Sequence, residues 1–416
     1  MAEARSLRVG SRTRTLLIAL STALVAAAAF ANSLVNINHA RLPDFALAFD
    51  GDDPVALVNK AQSDLASGAL SAEGSDAVLS IVRRSVAQLP LNAPAFRLLG
   101  LSSAANADLP GVRAQMAISE RMERRDPAAQ LWLIEDAVQR NDVAGALRHY
   151  DLALRNDEST RAVLYPVLTD AMENAAIRAR FVPYMSAPPP WLESFLRFAV
   201  SQTQQPVAIA DLAKRAGGFP DGAPYTSLDR ELLTQLVAFE DFEAAIAHFK
   251  RIKDADLSAA TTLALTDKTT DEAYMPITWQ AFSIDGIEPF VLSSPEGAGA
   301  VEIEAELEAG YTGPVARKLV ALKPGSYTVT AAMRAEDFGG LDRAVWSITC
   351  AGGSGAPLAN DAVDLADEFD LRSSFTVPAD CPVQLALVSA ETTLRTGYLK
   401  LVLAEIDLKR GQPTTR

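Results

Sequence analysis

Histidine and cysteine are scarce in this chain of 416 residues, which contains three histidines and two cysteines. The histidines are His39, His149 and His248, so the last third of the chain has none. A Ser-His-Asp or Cys-His catalytic set is therefore excluded from that third. The sequence also lacks the ligand spacings of zinc sites and the glycine-rich loop that binds nucleotide phosphates. We predict no catalytic residues, no metal ligands and no cofactor-binding residues.

Basic residues are outnumbered by acidic ones, 38 against 52, which gives a formal net charge of -14. Proteins that bind nucleic acid neutralise its phosphates with clustered lysine and arginine. The one basic cluster, Arg121, Arg124 and Arg125, lies beside Glu120 and Glu123 and is typical of a solvated helix face. The composition therefore predicts no nucleic-acid partner.

One long run without charge, "TLLIALSTALVAAAAFANSLV", covers residues 15–35. Its length is close to the roughly 20 residues that a helix needs to span a bilayer. Arg5, Arg8, Arg12 and Arg14 precede it, and acidic residues follow soon after it. By the positive-inside rule, we predict a cytoplasmic N-terminus over residues 1–14 and a transmembrane signal anchor over residues 15–35.

A cleaved signal peptide is the alternative interpretation of this run. Ala29-Phe30-Ala31 fits the small-x-small pattern of a cleavage site. Both interpretations place the residues after about 36 outside the cytoplasm. We expect a single-pass inner-membrane protein with a periplasmic remainder, or a protein released into the periplasm by cleavage after Ala31.

Residues 106–157 contain an internal repeat whose period is that of paired tetratricopeptide helices. An offset of 34 residues aligns Asp108 with Asp142, Gly111 with Gly145, Met116 with Tyr150, and Arg121 with Arg155. The spacing puts Ala146, Tyr150 and Ala153 on one helix face, where small residues let neighbouring helices approach. A later copy has Asp241, Ala245 and Phe249 in its second-helix positions.

Over residues 50–253 the chain resembles membrane-anchored bacterial tetratricopeptide-repeat (TPR) envelope proteins. That resemblance implies a helical solenoid whose concave face binds a protein or peptide partner. His149 and His248 each precede the aromatic residue of their copy, and no partner stands beside them at metal-ligand spacing. We interpret both as partly exposed helix residues rather than as ligands.

From about residue 277, helical periodicity changes to alternation of polar and apolar residues between turn signals. About nine such runs predict an antiparallel β-sandwich over residues 276–410, preceded by a linker over residues 254–275. An opening aromatic strand, the stretch "LKPGSYTVTA" at Leu322 to Ala331 and a long closing strand resemble jelly-roll carbohydrate-binding modules. The predicted fold class is multidomain α + β, with a transmembrane helix, a TPR-like solenoid and a jelly roll.

This resemblance implies exposed aromatic rings that stack on sugars, with Trp279 and Tyr311 as the candidate glycan contacts. Trp346 shares its strand face with Ile348 and Cys350, which predicts that it points into the core. In "VEIEAELE", residues 301–308, four glutamates alternate with apolar residues and predict a solvated sheet face.

The two cysteines, Cys350 and Cys381, are expected to form a disulfide, because pairs of this kind are oxidised in exported proteins. Jelly rolls often hold a structural calcium, so the acidic cluster after residue 360 is a candidate although it lacks the spacing of a helix-loop-helix calcium loop. The cluster comprises Asp361, Asp364, Asp367, Glu368 and Asp370.

These features together predict a non-enzymatic extracytoplasmic scaffold of the bacterial cell envelope. The helical array would bind a protein, and the sandwich would bind or position a glycan, as in exopolysaccharide or cell-surface polysaccharide assembly. The alternative is a glycan-active enzyme of the glycosidase type that uses carboxylates of the sandwich. The Glu-x-Asp-x-x-Glu pattern of sandwich glycosidases is missing, since Glu405 and Asp407 lead to Arg410.

Overall fold

The structure is a computed structural model that describes residues 11–67, 75–104, 109–253, 255–293, 299–353, 355–393 and 397–411. The chain divides into two compact units, Met1–Arg161 and Ala162–Arg416. The first unit is helical, and the second combines helices with a β-sandwich.

Eight α-helices belong to the described part of the first unit. They are α1 (Ser11–Asn38), α2 (Pro43–Phe49), α3 (Pro54–Ala66), α4 (Ser75–Gln88), α5 (Ala93–Ala104), α6 (Leu109–Met122), α7 (Pro127–Gln139) and α8 (Val143–Asn156).

Helix α1 contains the segment Arg14–Asn38, which is long and apolar enough to cross a membrane. Its apolar side chains, such as Leu17, Leu24 and Phe30, are largely exposed. Only its C-terminal end packs on the unit, where Val35 meets two small buried side chains of α2 and α3. Length and composition are compatible with a bilayer span, and anchoring stays a prediction.

Each helix of the first unit packs on the next one along the chain, most extensively α5 on α6 and α7 on α8. Asp53, Asp126 and Asp142 precede α3, α7 and α8 and accept backbone N–H hydrogen bonds from their first turns. Such caps satisfy donors that a helix leaves unpaired. The predicted packing face is confirmed, since Ala146, Tyr150 and Ala153 are all buried.

Six further α-helices begin the second unit, among the residues that the structure describes. They are α9 (Arg161–Ala171), α10 (Ala175–Ser186), α11 (Leu192–Gln202), α12 (Pro206–Ala216), α13 (Leu228–Ala238) and α14 (Phe242–Phe249). Phe181 and Phe195 contact each other and both contact Trp191, so aromatic rings form the core of α10 and α11.

The helix pairs α7–α8 and α13–α14 have the same turn. Asn141 and Glu240, which lie 99 residues apart, have positive φ angles of 56° and 61°. The next residues, Asp142 and Asp241, each donate their backbone N–H over 2.8 Å to a carbonyl five residues earlier. This bond closes a helix C-terminus that ends in a left-handed residue. The repeat is therefore a structural unit, while its assignment to the TPR family stays a prediction.

Ten strands of the described residues form two antiparallel sheets. They are β1 (Gln280–Ala281), β2 (Ile287–Ser293), β3 (Val301–Glu308), β4 (Thr312–Val320), β5 (Gly325–Glu336), β6 (Arg343–Cys350), β7 (Ala359–Asp364), β8 (Phe369–Val377), β9 (Gln384–Glu391) and β10 (Tyr398–Arg410). The strand orders are β1-β4-β9-β6-β7 and β2-β3-β10-β5-β8. Strands 3 to 10 thus have the arrangement of an eight-stranded jelly roll, with β1 and β2 added at the edges.

The sandwich core lies between the two sheets and contains Trp346 and Val388 from one and Ile303 and Leu403 from the other. Leu263 and Leu265 belong to the same core. The segment predicted as a linker therefore packs against the sandwich, because its apolar side chains cover the core.

Candidate functional site

Arg317 is a half-buried arginine on the outer face of the sheet β1-β4-β9-β6-β7. It lies in β4 opposite Gln280 of β1 and Leu387 of β9. Its Nε donates a hydrogen bond of 2.8 Å to Gln280 Oε1. Its guanidinium carbon lies 5.3 Å from the ring centroid of Phe282, within the range of a cation–π interaction. The arginine is therefore held in one place by an amide and a ring.

Strand alternation explains why these three side chains share a face. Ala316 and Lys318 point into the core, so Arg317 between them points outward. Likewise Trp279 is buried, and the alternation places Gln280 and Phe282 on the opposite side of the chain. The alternation in the sequence places Phe282, rather than the predicted Trp279, on the exposed face of this strand.

The charge of Arg317 has no carboxylate partner among the described residues. Other arginines of the sandwich do have one: Arg334 lies 2.6 Å from Glu302, and Arg343 lies 3.2 Å from Asp364. Burial lowers the pKa of Arg317, but a guanidinium remains charged in proteins. Its two terminal nitrogens make no hydrogen bond to the residues that the structure describes, so they can donate to a ligand.

A row of residues crosses the sheet in register with Arg317, one from each strand. The row runs through Gln280, Arg317, Leu387, Ser347 and Asn360. It combines hydrogen-bonding side chains with one apolar side chain. We call this row, together with Phe282, the Arg317 row.

The two predicted glycan contacts lie elsewhere. Trp279 is 1% exposed and donates from its indole Nε1 to the carbonyl of Leu263. Tyr311 is 9% exposed and its hydroxyl donates to the carbonyl of Pro314. Neither ring presents a face on which a sugar could stack, because both complete the sandwich core. Trp346 is fully buried, as predicted.

The row of glutamates in β3 is only partly solvated. Glu306 and Glu308 are exposed, as predicted. Glu302 is 6% exposed and ion-paired with Arg334, and Glu304 lies 2.8 Å from Lys400. The prediction was wrong for Glu302, because a cation of β5 folds over it.

The disulfide between Cys350 and Cys381 is formed, as predicted, across a separation of 31 residues. In the acidic cluster, Asp364 pairs with Arg343 and Asp370 with Arg372. No group of three or more possible metal ligands occurs in the described ranges. The cluster is thus partly neutralised by arginine, and nothing there supports a calcium site.

Both helical histidines are buried, which corrects the prediction of partly exposed residues. His149 is 6% exposed and His248 is 5% exposed. The Nδ1 of His149 lies 2.7 Å from Gln130 Oε1, and the Nε2 of His248 lies 3.1 Å from Asp229 Oδ1. The prediction failed because a polar residue of the preceding helix in each pair faces the ring.

No protein-family model matches the chain, and no curated protein matches it. Solved structures that resemble its C-terminal β region are carbohydrate-binding modules. One is TmCBM61 in complex with β-1,4-galactotriose, at 12% identity over 38% of this chain and 97% of the module, with a TM-score of 0.24. Another is the xylan-binding CBM22-2 domain of Paenibacillus barcinonensis Xyn10C, at 11% identity over 36% of this chain and 99% of the domain, with a TM-score of 0.25. A third is the C-terminal family 22 module of Clostridium thermocellum Xyn10B, at 11% identity over 38% of this chain and 98% of the module, with a TM-score of 0.26.

Proposed function

We propose that the sandwich binds a glycan on the outer face of the sheet β1-β4-β9-β6-β7. The observation that carries this proposal is Arg317, a half-buried cation held against Phe282 by Gln280 and lacking a carboxylate partner among the described residues. A guanidinium offers paired donors that match two neighbouring hydroxyl oxygens or a carboxylate. Leu387 and Phe282 supply the apolar surface that the C–H face of a sugar ring needs.

The helical region is proposed to bind a protein or peptide partner as a TPR-like array. The paired helices and the turn shared by α7–α8 and α13–α14 support this. Helix α1 would anchor the chain in the inner membrane, with the remainder in the periplasm. The whole chain would then be a non-enzymatic scaffold of the bacterial cell envelope, in which one part binds a partner and another binds a cell-surface polysaccharide.

A glycan array probed with the full chain in detergent tests the proposed glycan site. Arg317→Ala should weaken binding to any bound glycan about 10–100-fold, because a hydrogen bond to a charged group is lost. Phe282→Ala should weaken it too. Arg372→Ala is the matched control, since this exposed arginine lies on the other sheet and pairs with Asp370. Equal binding by the Arg317→Ala variant, or no glycan bound by the native chain, would contradict the proposal.

The same experiment separates binding from catalysis. Release of reducing sugar from a bound glycan would replace the scaffold by the glycosidase alternative. The exposed carboxylates of β3, Glu306 and Glu308, would then be the first residues to substitute, and a role for them would move the site to the other sheet.

A further inference from the structure

A cavity of about 610 Å³ opens in the helical part of the second unit. Its wall is formed by the end of α12, the loop between α12 and α13, the beginning of α13, the end of α14 and residues 273–274. The loop reads "GGFPDG" at residues 217–222, and three of its glycines have positive φ angles. These glycines allow a tight path that leaves the cavity open. The volume falls within the roughly 300–1,000 Å³ of ordinary ligand sites.

Four basic residues line this cavity: Lys214, Arg230, Arg251 and Lys253. None of the four has a carboxylate partner among the described residues, although Arg251 donates to the carbonyl of Lys214. Other arginines of the same helical region, in contrast, do pair with carboxylates.

Arg178 and Arg215 both lie 2.7 Å from Asp211, and Arg197 lies 3.0 Å from Glu231. Two acidic residues line the cavity, Asp221 and Asp229, and the second faces His248 at 3.1 Å. The cavity is thus a basic site in an acidic chain, with four cations against two carboxylates.

Three aromatic residues, Phe219, Tyr225 and Tyr274, also line the cavity and are half-buried. Phe219 contacts the ring of His248 edge-on, and Tyr274 contacts Phe249 in the same way. Phe219 and Tyr274 are therefore held in place by packing. Burial, and to a lesser extent the charge of Glu193, raises the pKa of Tyr225, so its hydroxyl stays a donor at neutral pH.

We propose that this cavity binds an acidic saccharide, with the ring carboxylate of a uronic acid at the basic residues and a pyranose face against the aromatic rings. This site goes beyond the proposed glycan site of the sandwich and uses none of its residues. Unpaired cations select for an anion, and aromatic rings suit the C–H face of a sugar.

The wall of the cavity favours a sugar over a peptide. Basic residues alone would also suit an acidic peptide, since arginine clusters recognise acidic motifs. The three aromatic rings favour the sugar, because they match the C–H face of a pyranose. The cavity wall has few aliphatic side chains, chiefly Ile252, and is formed by helices and a loop.

Isothermal titration of the full chain in detergent with α-1,4-linked trigalacturonate tests the proposal. We expect saturable binding that weakens as sodium chloride rises from about 50 to about 300 mM, because added salt shortens the distance over which charges attract each other. The double variant Lys214→Gln/Arg230→Gln should bind at least about tenfold more weakly. Lys250→Gln is the matched control, because this exposed lysine ends α14 without lining the cavity.

Each of four outcomes with the native chain, the ligands or the control would overturn the proposal, and a fifth comes from Arg317→Ala. The four are no binding of trigalacturonate, equal binding of its methyl ester, equal weakening by Lys250→Gln, and binding of hexaglutamate at least as tight. Arg317→Ala separates the two glycan sites. If it leaves trigalacturonate binding unchanged, the cavity holds the acid. If it abolishes binding, the acid lies on the sandwich, and the cavity proposal fails while the sandwich proposal stands.

Discussion

Both units neutralise buried carboxylates with arginine, but the second unit also holds buried basic residues that have no carboxylate partner among the described residues. In the first unit, Asp136 is 6% exposed and accepts hydrogen bonds from both Arg113 and Arg140. In the second unit, Lys318 is fully buried and donates to the carbonyl of Ile277, without a carboxylate partner among the described residues. Arg317 and the cavity cations are also unpaired in that sense. A paired buried charge holds its neighbours in place, whereas a fully buried charge without a carboxylate, such as Lys318, reduces stability. Cations that solvent reaches, such as Arg317 and those of the cavity, remain free to meet a ligand.

The comparison is sharpest between two equivalent helix pairs. Gln130 and Asp229 occupy the same place relative to the buried histidine of their pair, 19 residues before it. In the first unit the ring of His149 lies between the amide of Gln130 and Arg148, with the carboxylate of Glu120 farther away at 3.9 Å. In the second unit His248 faces a carboxylate at the wall of a cavity. The same arrangement of two helices thus places its buried histidine in two different polar surroundings.

The largest expected difference between the units concerns the disulfide, which lies in the second. Replacing Cys350 and Cys381 by alanine should destabilise that unit by about 3–4 kcal/mol, because the unfolded chain gains the entropy of an open loop. Hydrogen exchange on the full chain should show faster exchange in β6 and β9 and no change in α7 and α8. Equal loss of protection in both units would contradict the division.

Asp136→Asn should destabilise the first unit by about 2–3 kcal/mol at neutral pH, because two arginines lose their charged partner. This loss of stability is smaller than for a fully buried ion pair, since both arginines are partly exposed to solvent. Hydrogen bonding from Arg113 is the main cause that lowers the pKa of Asp136 below 3.8. Its contribution is therefore complete above that pH and is lost as pH falls through the folded-state value.

The matched control for this variant is Glu135→Gln. Glu135 precedes Asp136 but is exposed. Urea unfolding followed by hydrogen exchange in α6 to α8 measures both variants. If the two variants lost equal stability, the ion pairs of Asp136 would contribute no more to the stability of the fold than the exposed Glu135 does.

Lys318→Met tests the opposite case and should stabilise the second unit. Burial lowers the pKa of Lys318 from 10.5 to about 7, so the unfolded chain binds more protons between those values. The free energy of unfolding should therefore rise with pH from 7 to 10.5. Below pH 7 the titration of Lys318 should not change it further. The linkage corresponds to ~4 kcal/mol near pH 7.

The loss of a donor to Ile277 offsets about 1–3 kcal/mol of this gain, which leaves about 2 kcal/mol. Urea unfolding at pH 7 and at pH 10 should show the gain at the lower pH and little of it at the higher. Lys323→Met, at an exposed turn, is the control and should change neither value. A Lys318→Met variant less stable than the native chain at pH 7 would show that the buried amine stabilises the fold.

The sequence allowed the order of helices and strands to be predicted, together with the disulfide and the burial of Trp346. These features depend on local periodicity and on the pairing of two cysteines. The candidate sites could not be predicted in the same way. Arg317 becomes informative only once Gln280 and Phe282 are placed beside it by strand pairing. Nothing in the sequence around Lys318 predicts its burial, which follows from the register of β4 against β9.

The cavity between α12 and α14 is hidden in the sequence for a related reason. Its four cations come from three separate places in the chain: Lys214 in α12, Arg230 in α13, and Arg251 and Lys253 just after α14. The burial of His149 and His248 cannot be predicted from the periodicity of their own helices. Their partners, Gln130 and Asp229, come from the preceding helix of each pair. Contacts between helices therefore decided each of these cases.

The smallest expected effect comes from giving the first helix pair the carboxylate of the second. Arg148 Nη2 lies 3.0 Å from His149 Nε2 and can only donate, so Nε2 accepts and Nδ1–H donates to Gln130. Burial first, and then the charge of Arg148, lowers the pKa of His149 below 6.5. The first unit is therefore fully stabilised above pH 6.5 and loses stability as pH falls below it.

Gln130→Asp should raise the pKa of His149 and reduce this acid sensitivity, while changing stability at pH 7.5 by less than about 1 kcal/mol. Imidazole shifts in NMR spectra can follow this titration, because the chain has three histidines. Gln139→Glu on the exposed side of α7 is the control, and an unchanged or lower pKa for His149 in the Gln130→Asp variant would mean that residue 130 does not set the difference between the two pairs.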